Sequence, residues 1–187
     1  VWAVVGRAAY LAEQENIALS RLSMISLNAQ LMMLWTGLLL GGAGLVAVGG
    51  SSMLGWGVLL LWLLLTVMVF SRFFHALAER CVRRILGRDI RIPSLAFRTS
   101  LGVLPWFAGT WLVWTAGFQF LVVSLLSEPI SWTVGLAFPL AGTLGIMAAI
   151  SPGGLGVREG VLGGYLLLTG LSSSDAATIA VVSRLWF

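Results

Sequence analysis

From Met53 to Phe70 the chain holds no charged residue, and apolar runs of similar length recur on both sides of it. Such runs limit the fold more than any motif does. In lipid every backbone N–H and C=O must be paired inside the protein, so the choices are helices or a closed barrel. Barrel strands alternate apolar and polar residues, whereas these runs are continuous, which excludes the barrel. The expected fold class is all-α, a polytopic helical membrane bundle. Charged residues are 10% of the 187, against about 25% in a soluble domain. At about 20 residues per crossing, the length suits a single transmembrane domain over 1–187 with roughly half a dozen segments. There is no initiator Met, and Arg184-Leu185-Trp186-Phe187 ends in mid-helix, so the domain reads as cropped at both ends.

The basic residues are all Arg, and the net charge is +4. They gather beside the apolar runs, the pattern of cytoplasmic loops and anionic headgroups; no nucleic-acid partner is expected. Most lie in Ser71–Arg98, which carries Arg72, Arg80, Arg83, Arg84, Arg88, Arg91 and Arg98. Phe70, Phe73, Phe74, Leu77, Cys81 and Ile85 recur there at helical spacing, opposite Arg72, Glu79 and Arg83. The segment 71–98 is therefore expected to be an amphipathic helix on the cytoplasmic face. The chain is then expected to be a multi-pass membrane protein. Cys81 and His75 are the sole Cys and His. No internal disulfide, metal cluster or catalytic triad can be assembled from them, and no cofactor is expected.

Four stretches are expected to cross the membrane: Met24–Gly49, Met53–Phe70, Leu101–Ser127 and Ser131–Ile150. Gly37 and Gly41 form a small-residue pair for close helix contact. Pro105 should kink the third span. Gln119 is polar at mid-depth, and Trp106, Trp111 and Trp114 either mark the interface or line a groove. Glu128-Pro129 makes an outer turn. Pro139, Gly142 and Gly145 loosen the fourth span, which should return the chain to the inner side. The next apolar piece, Gly160–Leu171, rises about 18 Å against a hydrocarbon core of about 30 Å. It is expected to be a re-entrant or half-membrane helix buried by its neighbours, its face bared for tight packing by Gly156, Gly160 and Gly164. A last helix, Ala176–Phe187, follows.

The turn before the short helix, Ser151–Gly160, joins glycines to an acid–base pair. Pro152 fixes its own φ and discourages helix in the residue before it. Gly153, Gly154 and Gly156 permit left-handed backbone and close approach to a ligand. A helix starting near Val157 points free N–H groups and its positive dipole end at the turn. Arg158 adds a planar fork of donors suited to phosphate. The stretch reads either as an anion cradle or as a helix break with a structural Arg158–Glu159 pair. Arg184 lies in an apolar helix and needs an anion: Glu159, Asp175 or a lipid phosphate. Asp175 is either a first-turn acid favoured by the dipole or a partner for a cationic headgroup or Arg158.

Pro152-Gly153-Gly154-Leu155-Gly156-Val157-Arg158-Glu159-Gly160, an apolar run, a Gly-Leu-Ser turn, Asp175-Ala176-Ala177 and Arg184-Leu185 together resemble the lysylphosphatidylglycerol synthase transmembrane region. Gly6-Arg7-Ala8-Ala9-Tyr10-Leu11, followed by Leu19-Ser20-Arg21, resembles the family's first copy of the same theme. Gly6–Ser20 and Gly156–Ser172 thus suggest a weak internal repeat, common in transporters. Where the family often has an acidic–Arg pair after the first copy, this chain has Ala29-Gln30. The resemblance implies an inner (plasma) membrane protein that moves a phospholipid or lipid-linked headgroup between leaflets. It assigns substrate binding to Pro152, Gly153, Gly154, Gly156, Arg158, Glu159, Asp175, Arg184 and Arg7. In multiple peptide resistance factors the lipid is aminoacylated phosphatidylglycerol, made by a separate synthase domain that nothing here resembles. The chain alone is therefore not expected to be an enzyme. A lipid-modifying synthase and a second copy of the chain are its expected protein partners. Two alternatives stand beside this one. The chain could serve polyprenyl-linked glycolipids, or act as a non-transporting scaffold that docks a synthase.

Overall fold

The computed structural model describes residues 10, 19–49, 53–71, 76, 80, 97–126, 130–148 and 154–185. These form six α-helices and one 3-10 turn, with no strand among the described residues. In order they are α1 (Leu19–Gly49), α2 (Met53–Phe70), α3 (Phe97–Leu125), the 3-10 turn Trp132–Leu136, α4 (Ala137–Met147), α5 (Val157–Leu168) and α6 (Ser173–Leu185). The all-α membrane bundle is the observed fold. Asn28–Gly49 of α1, all of α2, and Leu101–Leu125 of α3 are long and apolar enough to cross a bilayer. α1 begins ahead of the expected Met24, and α3 takes Phe97 and Arg98 from the expected surface segment. The rest of that segment lies outside the described residues, apart from Ser71, Ala76 and Arg80. So do Arg7, Pro152, Gly153, most of the first repeat copy, and the turns at 50–52 and 127–129.

α1 and α2 run antiparallel, and their contact satisfies an indole away from water. Trp35 Nε1 donates to Thr66 Oγ1 at 2.7 Å, and that hydroxyl donates to Trp62 O of its own helix at 2.8 Å. The chain of bonds leaves neither group orphaned in lipid. Trp35 also stacks on Trp62 at 5.6 Å and meets Phe70 edge-on at 5.8 Å. The other face of α2, including Met53, Trp56, Leu60 and Leu64, is exposed for hydrocarbon contact.

α1 also carries a close crossing with α4. Gly37, Gly41 and Gly44 meet Thr143, Leu140 and Leu136 in reverse order, so α4 runs antiparallel to α1. A Cβ at Gly41 would lie 2.7 Å from the Cα and 2.8 Å from the N of Leu140. Without a hydrophobic drive between helices in lipid, such small-residue contacts supply the packing. Backbone atoms cannot yield as a side chain can. Gly41→Val is therefore expected to cost about 3 kcal/mol, the upper end of overpacking penalties. Gly57→Val, on open space, is the control. Equal thermal unfolding temperatures for the two variants in detergent would refute the assignment.

Gln119 of α3 clamps the 3-10 turn. Its Oε1 accepts from Gly135 N at 2.8 Å, and its Nε2 donates to Ser131 O at 3.2 Å. The Ser131 hydroxyl caps the turn by accepting from Thr133 N at 3.4 Å. Pro139 falls in the first turn of α4, where a missing N–H costs least. From the far side Tyr165 of α5 donates its hydroxyl to Thr133 O at 3.0 Å.

The stretch from Ser131 forms a shorter apolar helix than the expected crossing, Trp132–Met147. Its apolar helix ends at Met147, and α5 returns alongside it: Arg158 lies beside Gly145, and Tyr165 beside Leu136 and Gly44. The two form a helical hairpin that opens at the Gly49 end of α1. Its depth can be read from two spans, at about 1.5 Å per residue. Gly37, opposite Thr143, lies about 18 Å from Gly49 and about 13 Å from Asn28. Trp111, beside Gly37 and Gly142, lies about 15 Å from Leu101 and about 21 Å from Leu125. Gly145 and Arg158, toward the tip of the hairpin, therefore lie level with the apolar stretches of α1 and α3, about 10 Å along α1 from Asn28. Reversal at that depth is tolerated where protein or a polar cavity satisfies the backbone. The short helix expected after the glycine turn is α5, and α4 is its packing partner.

Candidate functional site

The tip of the hairpin is a crossing of backbones. Gly154 has φ 71°, and a Cβ there would fall 2.8 Å from Gly145 O. Gly156, at φ 81°, turns the chain into α5. Only glycine takes both conditions readily. This close fit sets Arg158 at the start of α5, against Gly145.

The Arg158 guanidinium carbon sits 5.3 Å from the centroid of the Phe138 ring. Phe138 is the hub of an aromatic cluster. It stacks with Trp114 at 6.1 Å and an interplanar angle of 15°, meets Trp111 edge-on at 6.5 Å, and lies 5.5 Å from Phe118. A cavity of about 340 Å³ opens here, lined by Met33, Trp111, Trp114, Phe138, Ile146 and Arg158. Gly142 and Gly145 complete the lining and leave the space unfilled. Trp111 is tied in place: its Nε1 donates to Met33 O at 2.9 Å. Arg158 is the charged residue in this lining. A cation over an aromatic face keeps part of the stabilisation it loses on leaving water, about 2 kcal/mol when desolvated.

Glu159 faces the other way, toward α6. Its Oε2 accepts from Gly156 N at 2.8 Å, capping α5. Its Oε1 pairs with Arg184 Nη1. Of the three anions the sequence offered Arg184, the structure brings up Glu159. The pair is not sealed in protein: the side chains are 40% and 23% exposed for Arg184 and Glu159. Asp175 lies at the opposite end of α6, about 13 Å along the helix from Arg184. It accepts from the Ser172 hydroxyl at 2.6 Å, and its own N–H donates to Ser172 Oγ at 3.1 Å. That is a helix cap, and it meets neither Arg158 nor Arg184.

The glycine face of α5 differs from expectation. A Cβ at Gly156, Gly160, Gly163 or Gly164 would have no neighbour within 4 Å among the described residues. The spacing by four allows close packing, but within this fold the face is open. Met33, Phe138 and Ile146 carry no signal in the sequence that sets them apart from ordinary core. Trp111 and Trp114 line the Arg158 cavity, while Trp106 lies outside it and is 79% exposed.

Neither the curated proteins nor the solved structures contain a match to this chain. The description of one protein family, lysylphosphatidylglycerol synthase TM region, matches residues 3–186. With nearly its whole length covered, and with a helical hairpin where the motif-bearing turn lies, this chain belongs to the lysylphosphatidylglycerol synthase transmembrane-region family.

Proposed function

We propose that this membrane protein moves a phospholipid between leaflets, with the lipid phosphate held by Arg158 in the aromatic cavity. The family ties the chain to lipid metabolism or transport. The observation that carries the finer reading is a guanidinium on a glycine-built turn, lining a cavity walled by α1, α3 and α4. A charge at that depth is costly, and such residues mark substrate paths. A phosphate arriving there would neutralise the cost and take charge-assisted bonds from the fork. Glu159 is engaged with Gly156 and Arg184, so it orders α5 rather than receiving a cation. The ammonium of an aminoacylated headgroup would instead meet the faces of Trp111 and Trp114. By the positive-inside rule, the 71–98 segment is cytoplasmic and the hairpin opens outward. The passage from the cytoplasmic side to Arg158 is then the shorter one.

A leaflet assay in liposomes tests this. Fluorescent phosphatidylglycerol and its aminoacylated form should both cross faster with the protein than without it. A zwitterionic phosphatidylcholine should cross more slowly. Folded protein that moves neither lipid above the protein-free rate would overturn the proposal. Movement of a polyprenyl phosphate sugar alone would replace its substrate.

A further inference from the structure

Trp114 lines two spaces at once. On one side is the Arg158 cavity. On the other is a groove of about 700 Å³ on the outer face of α3, lined by Pro105, Trp106, Gly109, Thr110, Val113 and Trp114. The groove faces the bilayer: Trp106 is 79% and Val113 73% exposed. It is apolar in effect, because the Thr110 hydroxyl donates back to Trp106 O at 2.9 Å. Its floor is open at Gly109, where a Cβ would have no neighbour within 4 Å. On the cavity side the Trp114 indole stacks on Phe138, and Phe138 carries the guanidinium of Arg158. A single indole thus divides a charged pocket from a hydrocarbon-facing trough.

We propose that the trough on α3 is a binding site for a hydrocarbon chain of the same lipid whose phosphate sits at Arg158. Trp114 is then the specificity-determining partition between headgroup and tail. The inference rests on the phosphate reading of Arg158. It adds that recognition extends past the headgroup, so chain length matters as well as charge. Trp114, the wall that the two spaces share, favours the substrate over bulk lipid as the occupant. Bilayer lipid would wet any exposed face of α3 and would not depend on a charge in the neighbouring cavity.

Phosphatidylglycerol with a diazirine on one acyl chain, photolysed with the purified full chain in nanodiscs, should label Trp106 to Val113. Labelling should fall about tenfold in Arg158→Ala, the loss expected from about 1.4 kcal/mol of coupled binding. Labelling unchanged by Arg158→Ala would mean ordinary bilayer contact and would overturn the proposal. In detergent, Gly109→Phe should weaken long-chain phosphatidylglycerol about tenfold. The same variant should leave water-soluble dihexanoyl phosphatidylglycerol binding as wild type does. Equal loss of both lipids, or of neither, would also overturn it. If wild type fails to bind the dihexanoyl form, the Arg158 reading itself fails, and the trough proposal with it.

Discussion

Arg158→Ala is expected to slow phosphatidylglycerol movement about a hundred- to several thousandfold and to leave the fold intact. Removing one partner of a desolvated, hydrogen-bonded charge pair costs about 3–5 kcal/mol, because the other charge is left bare. Each 1.4 kcal/mol is a factor of about ten. The lipid phosphate would be that bare charge, stranded about 10 Å inside the slab. The protein itself should not suffer. A guanidinium is costly to desolvate at that depth, so its removal should change the thermal unfolding temperature little. Arg158→Lys keeps the charge but loses the planar fork, and should recover part of the rate. Normal lipid movement by folded Arg158→Ala would sink the site assignment. Loss of movement together with loss of folding would show that Arg158 holds the hairpin instead.

Glu159→Ala should behave in the opposite way, as a failure of structure. The variant removes the acceptor of Gly156 N–H, worth about 1 kcal/mol for a cap. It also leaves Arg184 without its carboxylate. For a sealed pair that second loss is about 3–5 kcal/mol. Exposure of the pair lowers it, and about 2–4 kcal/mol in all is expected. The double variant Glu159→Ala/Arg184→Ala should regain everything but the cap, because no unpaired charge remains. Glu159→Gln should fall between, keeping an acceptor for Gly156 and losing the charge. A double-mutant cycle on thermal unfolding reads the coupling directly. A cycle that closes to zero would show that the pair contributes nothing.

The helical class was legible because continuous apolar runs admit no other membrane fold. α2 was legible to the residue, since Phe70 and the Ser71-Arg72 step bound its apolar run. The shortness of α5 follows from arithmetic on Gly160–Leu171. The shortness of α4 does not, because Ser131–Ile150 has the length and composition of a crossing. What sets it is tertiary: Gln119 binds Ser131 and Gly135, Tyr165 binds Thr133, and the glycine tip folds back on Gly145. None of these partners is near in sequence. The glycine turn and Arg158 could be singled out by residue type alone. The aromatic wall could not, because Phe138 reads as ordinary core until the fold stacks it between Trp114 and the guanidinium. The openness of the Gly160 and Gly164 face was equally hidden, since spacing states what a helix can pack against and not what it meets.

The depth of the hairpin tip has an electrical meaning. A transmembrane potential acts on each elementary charge with about 2.3 kcal/mol per 100 mV over the full bilayer. Under the proposed lipid movement, an anion carried from the Asn28 side to Arg158 would cover about 10 Å of an apolar core of about 30 Å. It therefore crosses about a third of the field, about 0.8 kcal/mol per 100 mV. The remaining two thirds falls on the path from Arg158 along the hairpin to the Gly49 end. Voltage then weighs about twice as heavily on one half of the journey as on the other.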